Sequence, residues 1–238
     1  MLQAKDLTKR YEDGHLALDH INFEVKAGEI FCLLGANGAG KTTTINLFLN
    51  FIDPTDGQAL INEIDSSKAP LEAKKHIAYV SENVMLYGNF TARQNLDFFA
   101  KLGGKPNLSK EDYYAVMRQV GLQEKAFEAK LKTFSKGMRQ KIGIAIAIIK
   151  DAENILLDEP TSGLDPKAAA EFQKLLLQLK KEGKAIFMST HDIFRAKAVA
   201  DRVGIMKEGR LVMLRTREQF LEENLETLYL DYMQEVAA

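Results

Sequence analysis

Gly35-Ala36-Asn37-Gly38-Ala39-Gly40-Lys41-Thr42 stands between an unbroken apolar run, Ile30 to Leu34, and a segment reaching about Phe51 that reads as a helix. It fits G-x-x-x-x-G-K-[ST] with a strand before it and a helix after it, the context in which this spacing carries meaning. Its glycines let the backbone wrap closely with N–H groups turned inward. The helix beginning inside Gly40-Lys41-Thr42-Thr43-Thr44 offers its positive end to an anion. Lys41 adds a cation for the outer phosphates of a nucleotide, and the Thr42 hydroxyl suits a magnesium ion.

Outward from that loop, short strands are expected over Leu2–Leu7, Ile21–Val25, Ala59–Ile61 and Ile77–Val80. Turn signals such as Lys26-Ala27-Gly28-Glu29 and Asp53-Pro54-Thr55-Asp56-Gly57 separate them. From Thr91 the spacing becomes helical. Thr91-Ala92-Arg93-Gln94 has the form of a capping box, and Leu96, Phe99 and Leu102 follow on one face. Leu108 to Gly121 predicts a second helix with Ser109 as its cap. Ser135 then precedes Lys136–Lys150, apolar nearly all round and so expected to be buried.

After Asp151 strand and helix alternate again: Asn154–Leu157, Lys167–Lys181, Ala185–Ser189, Ile193–Ala200, and a closing hairpin of Arg202–Met206 with Arg210–Leu214 around Glu208-Gly209. The fold expected is an α/β P-loop core (about 1–87 and 151–215). It carries an N-terminal antiparallel β subdomain, an inserted helical subdomain (about 88–150) and a short helical tail (216–238) that packs on the core.

The bulk numbers narrow the classes. With 238 residues the chain is long enough to bury a sizeable core. A net charge of -1 gives no whole-chain attraction to nucleic acid or an anionic membrane, and no nucleic-acid partner is expected. The single cysteine, Cys32, rules out an internal disulfide framework and lies in the apolar run of Ile30–Leu34, where a buried structural thiol is expected. No apolar stretch reaches the roughly 18 residues that span a bilayer, so membrane work would fall to a partner.

Two further strand ends carry chemistry. Asn154-Ile155-Leu156-Leu157-Asp158-Glu159 ends in paired carboxylates. In P-loop proteins such an aspartate holds magnesium, and Glu159 sits where a carboxylate can polarise an attacking water. A solvated acidic turn is the plain alternative, weakened by the phosphate loop beside it. His191, in Met188-Ser189-Thr190-His191-Asp192, lies at the sheet edge where α/β folds place their ligands; its spacing alone leaves structural and γ-phosphate roles equally open.

Together these motifs, over about Leu2 to Leu214, resemble the ATP-binding cassette ATPases, the nucleotide-binding subunits of ABC transporters. The resemblance implies an aromatic that stacks on adenine, matched by Tyr11, with Ala17 and Thr43 also in the ATP site. It implies an LSGGQ-type signature, matched by Phe134-Ser135-Lys136-Gly137-Met138, and a D-loop, matched by Ser162 and Asp165 in Pro160–Asp165. It makes His191 the switch histidine and Glu159 the catalytic base. Thr42, Asp158 and Glu82 become the magnesium side of the site. Ser135 is a good N-cap, so its helix offers N–H groups and a dipole to an anion. In this family that anion is the γ-phosphate of ATP on the opposite subunit, which implies a head-to-tail dimer with a second copy or a homologous ATPase.

Three departures stand out. Phe134, Lys136 and Met138 replace the usual leucine, first glycine and glutamine of the signature. Glu82 stands where the family's Q-loop carries glutamine. Glu63 replaces the glycine of a surface turn. The Glu82 loop and the Gly137-Met138-Arg139-Gln140-Lys141 continuation are similar to the ATPases of ABC-2-type exporters. This implies a peripheral subunit on the cytoplasmic face of a separate permease, docked through Glu82–Phe90 with Val84, Met85, Leu86 and Tyr87 expected to be exposed. Core packing is the alternative for that cluster.

The rivals are a soluble assembly ATPase of the same family, a degenerate cassette that binds ATP without hydrolysing it, and a small-molecule kinase or GTPase. Glu159 and His191 speak against the second. The third lacks a guanine-reading N-K-x-D run.

Overall fold

The computed structural model describes residues 1–234. In chain order its elements are β1 (Leu2–Arg10), β2 (Leu16–Val25), β3 (Ile30–Leu34), α1 (Lys41–Phe48), β4 (Asp56–Ile61), β5 (Ile64–Asp65), α2 (Pro70–Ala73), β6 (Ile77–Val80), α3 (Ala92–Leu102), α4 (Lys110–Gln119), α5 (Lys136–Lys150), β7 (Asn154–Asp158), α6 (Pro166–Lys181), β8 (Ala185–Thr190), α7 (Ile193–Val199), β9 (Arg202–Lys207), β10 (Arg210–Thr216), α8 (Arg217–Glu222) and α9 (Leu225–Gln234).

Two sheets form. One is a four-stranded antiparallel sheet in the order β2-β1-β4-β5; the other has six strands in the order β10-β9-β3-β8-β7-β6. In the second, β9, β3, β8, β7 and β6 run parallel and only the edge strand β10 is antiparallel. Every residue of β3, β7 and β8 is buried, as expected of central parallel strands covered on both faces.

Alternate residues of those strands feed two cores, because successive side chains point to opposite faces. Phe31, Leu33, Leu156 and Phe187 pack with α1 and the antiparallel sheet. Phe23 and Phe31 stack there with ring centroids 5.1 Å apart, and Phe187 lies 5.6 Å from Phe23. Ile30, Cys32, Leu34, Ile155, Leu157, Ile186 and Met188 face the other way, into a core shared with α3, α4, α5 and α6. Burial there pushes the Cys32 thiol well above its ordinary pKa, in keeping with an inert structural thiol.

Helix starts follow the caps. Thr91 and Ser109 both make full capping boxes, with Gln94 and Asp112 at the third helical position. Ser135 caps α5 by accepting the Met138 N–H at 3.3 Å. Asp165 caps α6 by accepting the Ala168 N–H at 2.9 Å, with Pro166 at the first turn.

Some expectations change. β2 begins at Leu16 rather than Ile21; Asp6 and His20, both at φ +51°, interrupt the β1–β2 register and hide the alternation. Leu102 ends α3 as a 69% exposed residue rather than part of its buried face. In the loop expected to dock a permease, Val84 and Leu86 instead pack against the core, while Met85 and Tyr87 are exposed as expected. In the tail Phe220 and Leu225 are fully buried, whereas Leu221 and Leu230 face solvent; 235–238 lie outside the described residues. Asn62 and Glu63 both take left-handed φ, of +48° and +67°, so the β4–β5 turn is a two-residue hairpin loop in which glutamate holds a conformation that favours glycine.

Candidate functional site

The turn between β3 and α1 closes one wall of a cleft of about 400 Å³. Ala36, Asn37, Gly38, Gly40, Lys41, Thr42 and Thr43 line it. Gly35 and Ala39 lie beneath that lining. A Cβ on Gly35 would come within 2.6 Å of the Met206 carbonyl, and the Ala39 carbonyl accepts from the Gly209 N–H at 3.0 Å. The β9–β10 hairpin therefore buttresses the loop from below.

Lys41 is 6% exposed, and its Nζ donates to the Gly35 and Ala36 carbonyls at 2.6 and 3.2 Å. Burial lowers its pKa, with Glu159 and Asp158 pulling it back up. An ammonium so held faces the cleft as a fixed cation.

The opposite wall comes from the end of β7. Asp158 Oδ2 accepts from Thr42 Oγ1 at 3.3 Å, and Asp158 Oδ1 accepts from Ser189 Oγ at 2.5 Å. Thr42 and Asp158 thus bring hard oxygen donors together at one end of the phosphate loop, the set a magnesium ion takes. Among the described residues no cluster of three or more His, Cys, Asp and Glu side chains could hold a metal by itself. Magnesium here would draw its remaining oxygens from phosphate and water, as that ion ordinarily does.

Glu159 follows in the left-handed region, at φ +45°, pinned by its N–H to the Ser189 carbonyl at 3.1 Å. Its Oε1 lies 3.0 Å from His191 Nδ1 and 3.7 Å from Lys41 Nζ. Neither approach is aligned as a hydrogen bond, and this buried oxygen has no hydrogen-bond partner. A left-handed backbone carrying a carboxylate held by ion pairs to a buried lysine and a histidine is the kind of arrangement that clusters at reactive sites. His191 is absent from the lining of the main cleft and faces a smaller one beside it, with Thr161, Ser162 and Arg195.

Tyr11 and Ala17 line the main cleft at its outer end. So does His15, which the sequence reading passed over. The turn at Glu12-Asp13-Gly14 brings Tyr11 and His15 parallel, with centroids 6.3 Å apart and planes within 7°, and Lys9 Nζ sits 5.3 Å from the Tyr11 ring. The tight Tyr11-x-x-x-His15 spacing was the available signal. Ser189, which orients Asp158, was likewise missed.

A profile of the ABC transporter family matches residues 18–162, well over half of the chain. The chain belongs to the ABC transporter family. It is one of the family's ATPase cassettes, as the relatives and folds agree. It is 41% identical over 89% of its length to the bacitracin transport ATP-binding protein BcrA of Bacillus licheniformis, of which it covers 68%. It is 36% identical over 89% of its length to the probable multidrug ABC transporter ATP-binding protein YbhF of Escherichia coli, of which it spans only 36%. Among solved structures, an ATP-binding subunit of an ABC transporter superposes with a TM-score of 0.85 at 30% identity, covering 98% of this chain and all of that one. The cassette MJ0796, solved as a dimer in a post-hydrolysis state with ADP and Pi, gives 0.82 at 27% identity over 91% of this chain and 99% of that one.

In this cassette the signature residues lie outside the nucleotide cleft: Ser135, Lys136, Gly137 and Met138 are all absent from its lining. Gly137 lets α5 approach α6, since a Cβ there would sit 3.2 Å from that of Ala168. Lys136 is turned to its own chain, with Nζ 3.4 Å from Glu82 Oε1. Glu82 does line the cleft, but the same Oε1 also accepts from Ser162 Oγ at 2.9 Å. Asp165 spends its carboxylate on the α6 cap.

Beyond Glu82 a second cleft of about 760 Å³ opens, mostly apolar, between the loop 81–86, Phe51, Tyr79, Phe99 and Ile146. Buried Asn95 fixes the loop above it, bonding the Tyr87 N–H and carbonyl at 3.0 and 3.1 Å. Among the described residues no helix is long and apolar enough to cross a membrane.

Proposed function

We propose that this cassette binds ATP with magnesium in the phosphate-loop cleft and hydrolyses it in a site completed by a second copy. It thereby drives a separate membrane permease of the ABC-2 exporter type from the cytoplasmic face. One observation carries the reading: Lys41, Thr42, Asp158 and Glu159 line one cleft, with Thr42 bonded to Asp158 and Lys41 paired with Glu159, while the Ser135-capped helix end is absent from that lining. A γ-phosphate held by Lys41 therefore lacks the signature's N–H groups until another subunit supplies them.

In this scheme Tyr11, with His15 beside it, forms the platform for adenine. The backbone of Gly35–Thr43 cradles the phosphates. Thr42 and Asp158 would hold a magnesium ion, whose charge would offset that of the phosphates when bound. Glu159 takes the proton of the attacking water, and His191, whose Nδ1 lies 3.0 Å from it, steadies that carboxylate from the adjoining smaller cleft. The exporter assignment is supported by the 41% identity to BcrA, a bacitracin transport protein. The exposed Met85, which lines the apolar cleft, and the exposed Tyr87 two residues on supply the docking surface for the permease.

Glu159→Gln tests the chemistry. The variant should bind ATP and form a stable ATP-bound dimer on gel filtration, yet lose about two to three orders of magnitude in turnover, the usual contribution of a general base. Turnover within a few-fold of the parent would remove Glu159 from that role.

A further inference from the structure

Glu82 is a carboxylate on the wall of a cleft built for phosphates, and its own charge would repel them. The structure shows what offsets it. Glu82 Oε1 faces Lys136 Nζ at 3.4 Å and accepts from Ser162 Oγ at 2.9 Å. These contacts, led by the Ser162 hydroxyl, hold the carboxyl below its ordinary pKa, so it carries a full charge at neutral pH. Four residues on, Gln140 grips the backbone of the same segment, its Nε2 donating to the Ser81 and Glu82 carbonyls at 3.1 and 2.8 Å. Residues four apart share a helix face, so one face of α5 holds Glu82 by both its side chain and its main chain.

Lys136 and Glu82 are also two positions where this chain departs from the family pattern, one where glycine and one where glutamine is usual. An ion pair is neutral overall, as a glutamine facing a glycine is. We propose that Lys136 is a positioning residue acting in cis: it neutralises Glu82, so that the cleft wall presents no net charge to the phosphates, and it ties that wall to the signature helix. The proposal rests on the ATP reading of the cleft and goes beyond it, by giving Lys136 a partner in its own chain instead of a partner subunit's nucleotide.

The test is a double-substitution cycle read as equilibrium ATP affinity in EDTA, so that no metal intervenes, on the full chain. Lys136→Met keeps the aliphatic stem and should weaken ATP roughly three- to tenfold, the scale of one unpaired charge at a half-exposed site. Glu82→Gln, which leaves the Lys136 cation unpaired beside the cleft, should tighten it by a similar factor. The double variant Glu82→Gln/Lys136→Met should return to within about twofold of the parent, which a merely structural role for Lys136 would not allow. The deficit of Lys136→Met should also shrink in molar salt, where the screening length falls to roughly 3 Å. An unchanged affinity in Lys136→Met, or a deficit that persists in the double variant, would overturn the proposal. Failure of the parent protein to bind ATP at all would overturn the ATP reading itself, a separable result.

Discussion

At the scale of single residues, the phosphate loop is held as much by what lies behind it as by its own sequence. Gly40 has φ +108°, and a Cβ there would meet the Ala17 carbonyl at 2.7 Å, Leu18 Cδ2 at 2.8 Å and Met206 Cε at 2.9 Å. Two of those contacts come from β2 and one from β9, so this residue of the loop is shaped by strands far away in the chain. Gly38, at φ +83°, has nothing within 4 Å of a built Cβ. The two positions separate backbone strain from collision. Gly38→Ala should cost about 1–2 kcal/mol of strain alone. Gly40→Ala should cost about 2–4 kcal/mol in urea unfolding and lower ATP affinity more than tenfold, because the loop must move off Ala17 to make room. Equal losses at the two sites would show that the buttress behind Gly40 is not what shapes the loop.

At the scale of elements, the parts that spoke through local chemistry were legible and those set by tertiary contact were not. The capping residues Thr91, Ser109 and Ser135 marked helix starts correctly, since a cap is a bond between near neighbours in sequence. Strands β3 and β6 came out with their observed ends, because buried parallel strands are plain apolar runs. The first half of β2 was missed, since its bulge at His20 breaks the alternation on which strand reading depends. Which way a loop side chain faces was not legible either. Val84 and Leu86 turn inward and Met85 and Tyr87 outward, and only the packing under Asn95 decides it. In the site, Lys41, Thr42, Asp158 and Glu159 were readable from their motifs, whereas the Lys136–Glu82 pair, 54 residues apart, required the fold. The docking loop carries its own prediction. Met85→Asp with Tyr87→Asp places charge on the 87% and 49% exposed side chains without touching the core. Co-purification with the permease should fall at least tenfold while the fold and ATP affinity stay within about twofold, because hot-spot contacts dominate such interfaces. Undiminished co-purification would move the interface elsewhere.

At the scale of the whole molecule, the proposed function divides the ATP site between different elements. In the proposed scheme the phosphate loop and the ends of β7 and β8 hold the reacting groups, while the start of α5, absent from the lining of their cleft, holds a capped helix terminus. A helix end attracts an anion only within about its first turn, and in the proposed scheme the α5 terminus, absent from that lining, serves the nucleotide of another subunit. Two copies placed head to tail would pair each cleft with the other copy's α5, and a two-fold axis closes that arrangement without leaving a free end. The kinetic consequence is sharp. With ATP saturating, specific turnover per subunit should rise with protein concentration until the dimer saturates, so the initial rate follows the square of concentration in the dilute limit. Glu159→Gln subunits mixed in should form mixed dimers and alter the rate non-linearly with their fraction. A rate strictly proportional to protein down to nanomolar concentration, unaffected by added Glu159→Gln protein, would mean that one copy is complete. The Ser135 helix end would then need another explanation.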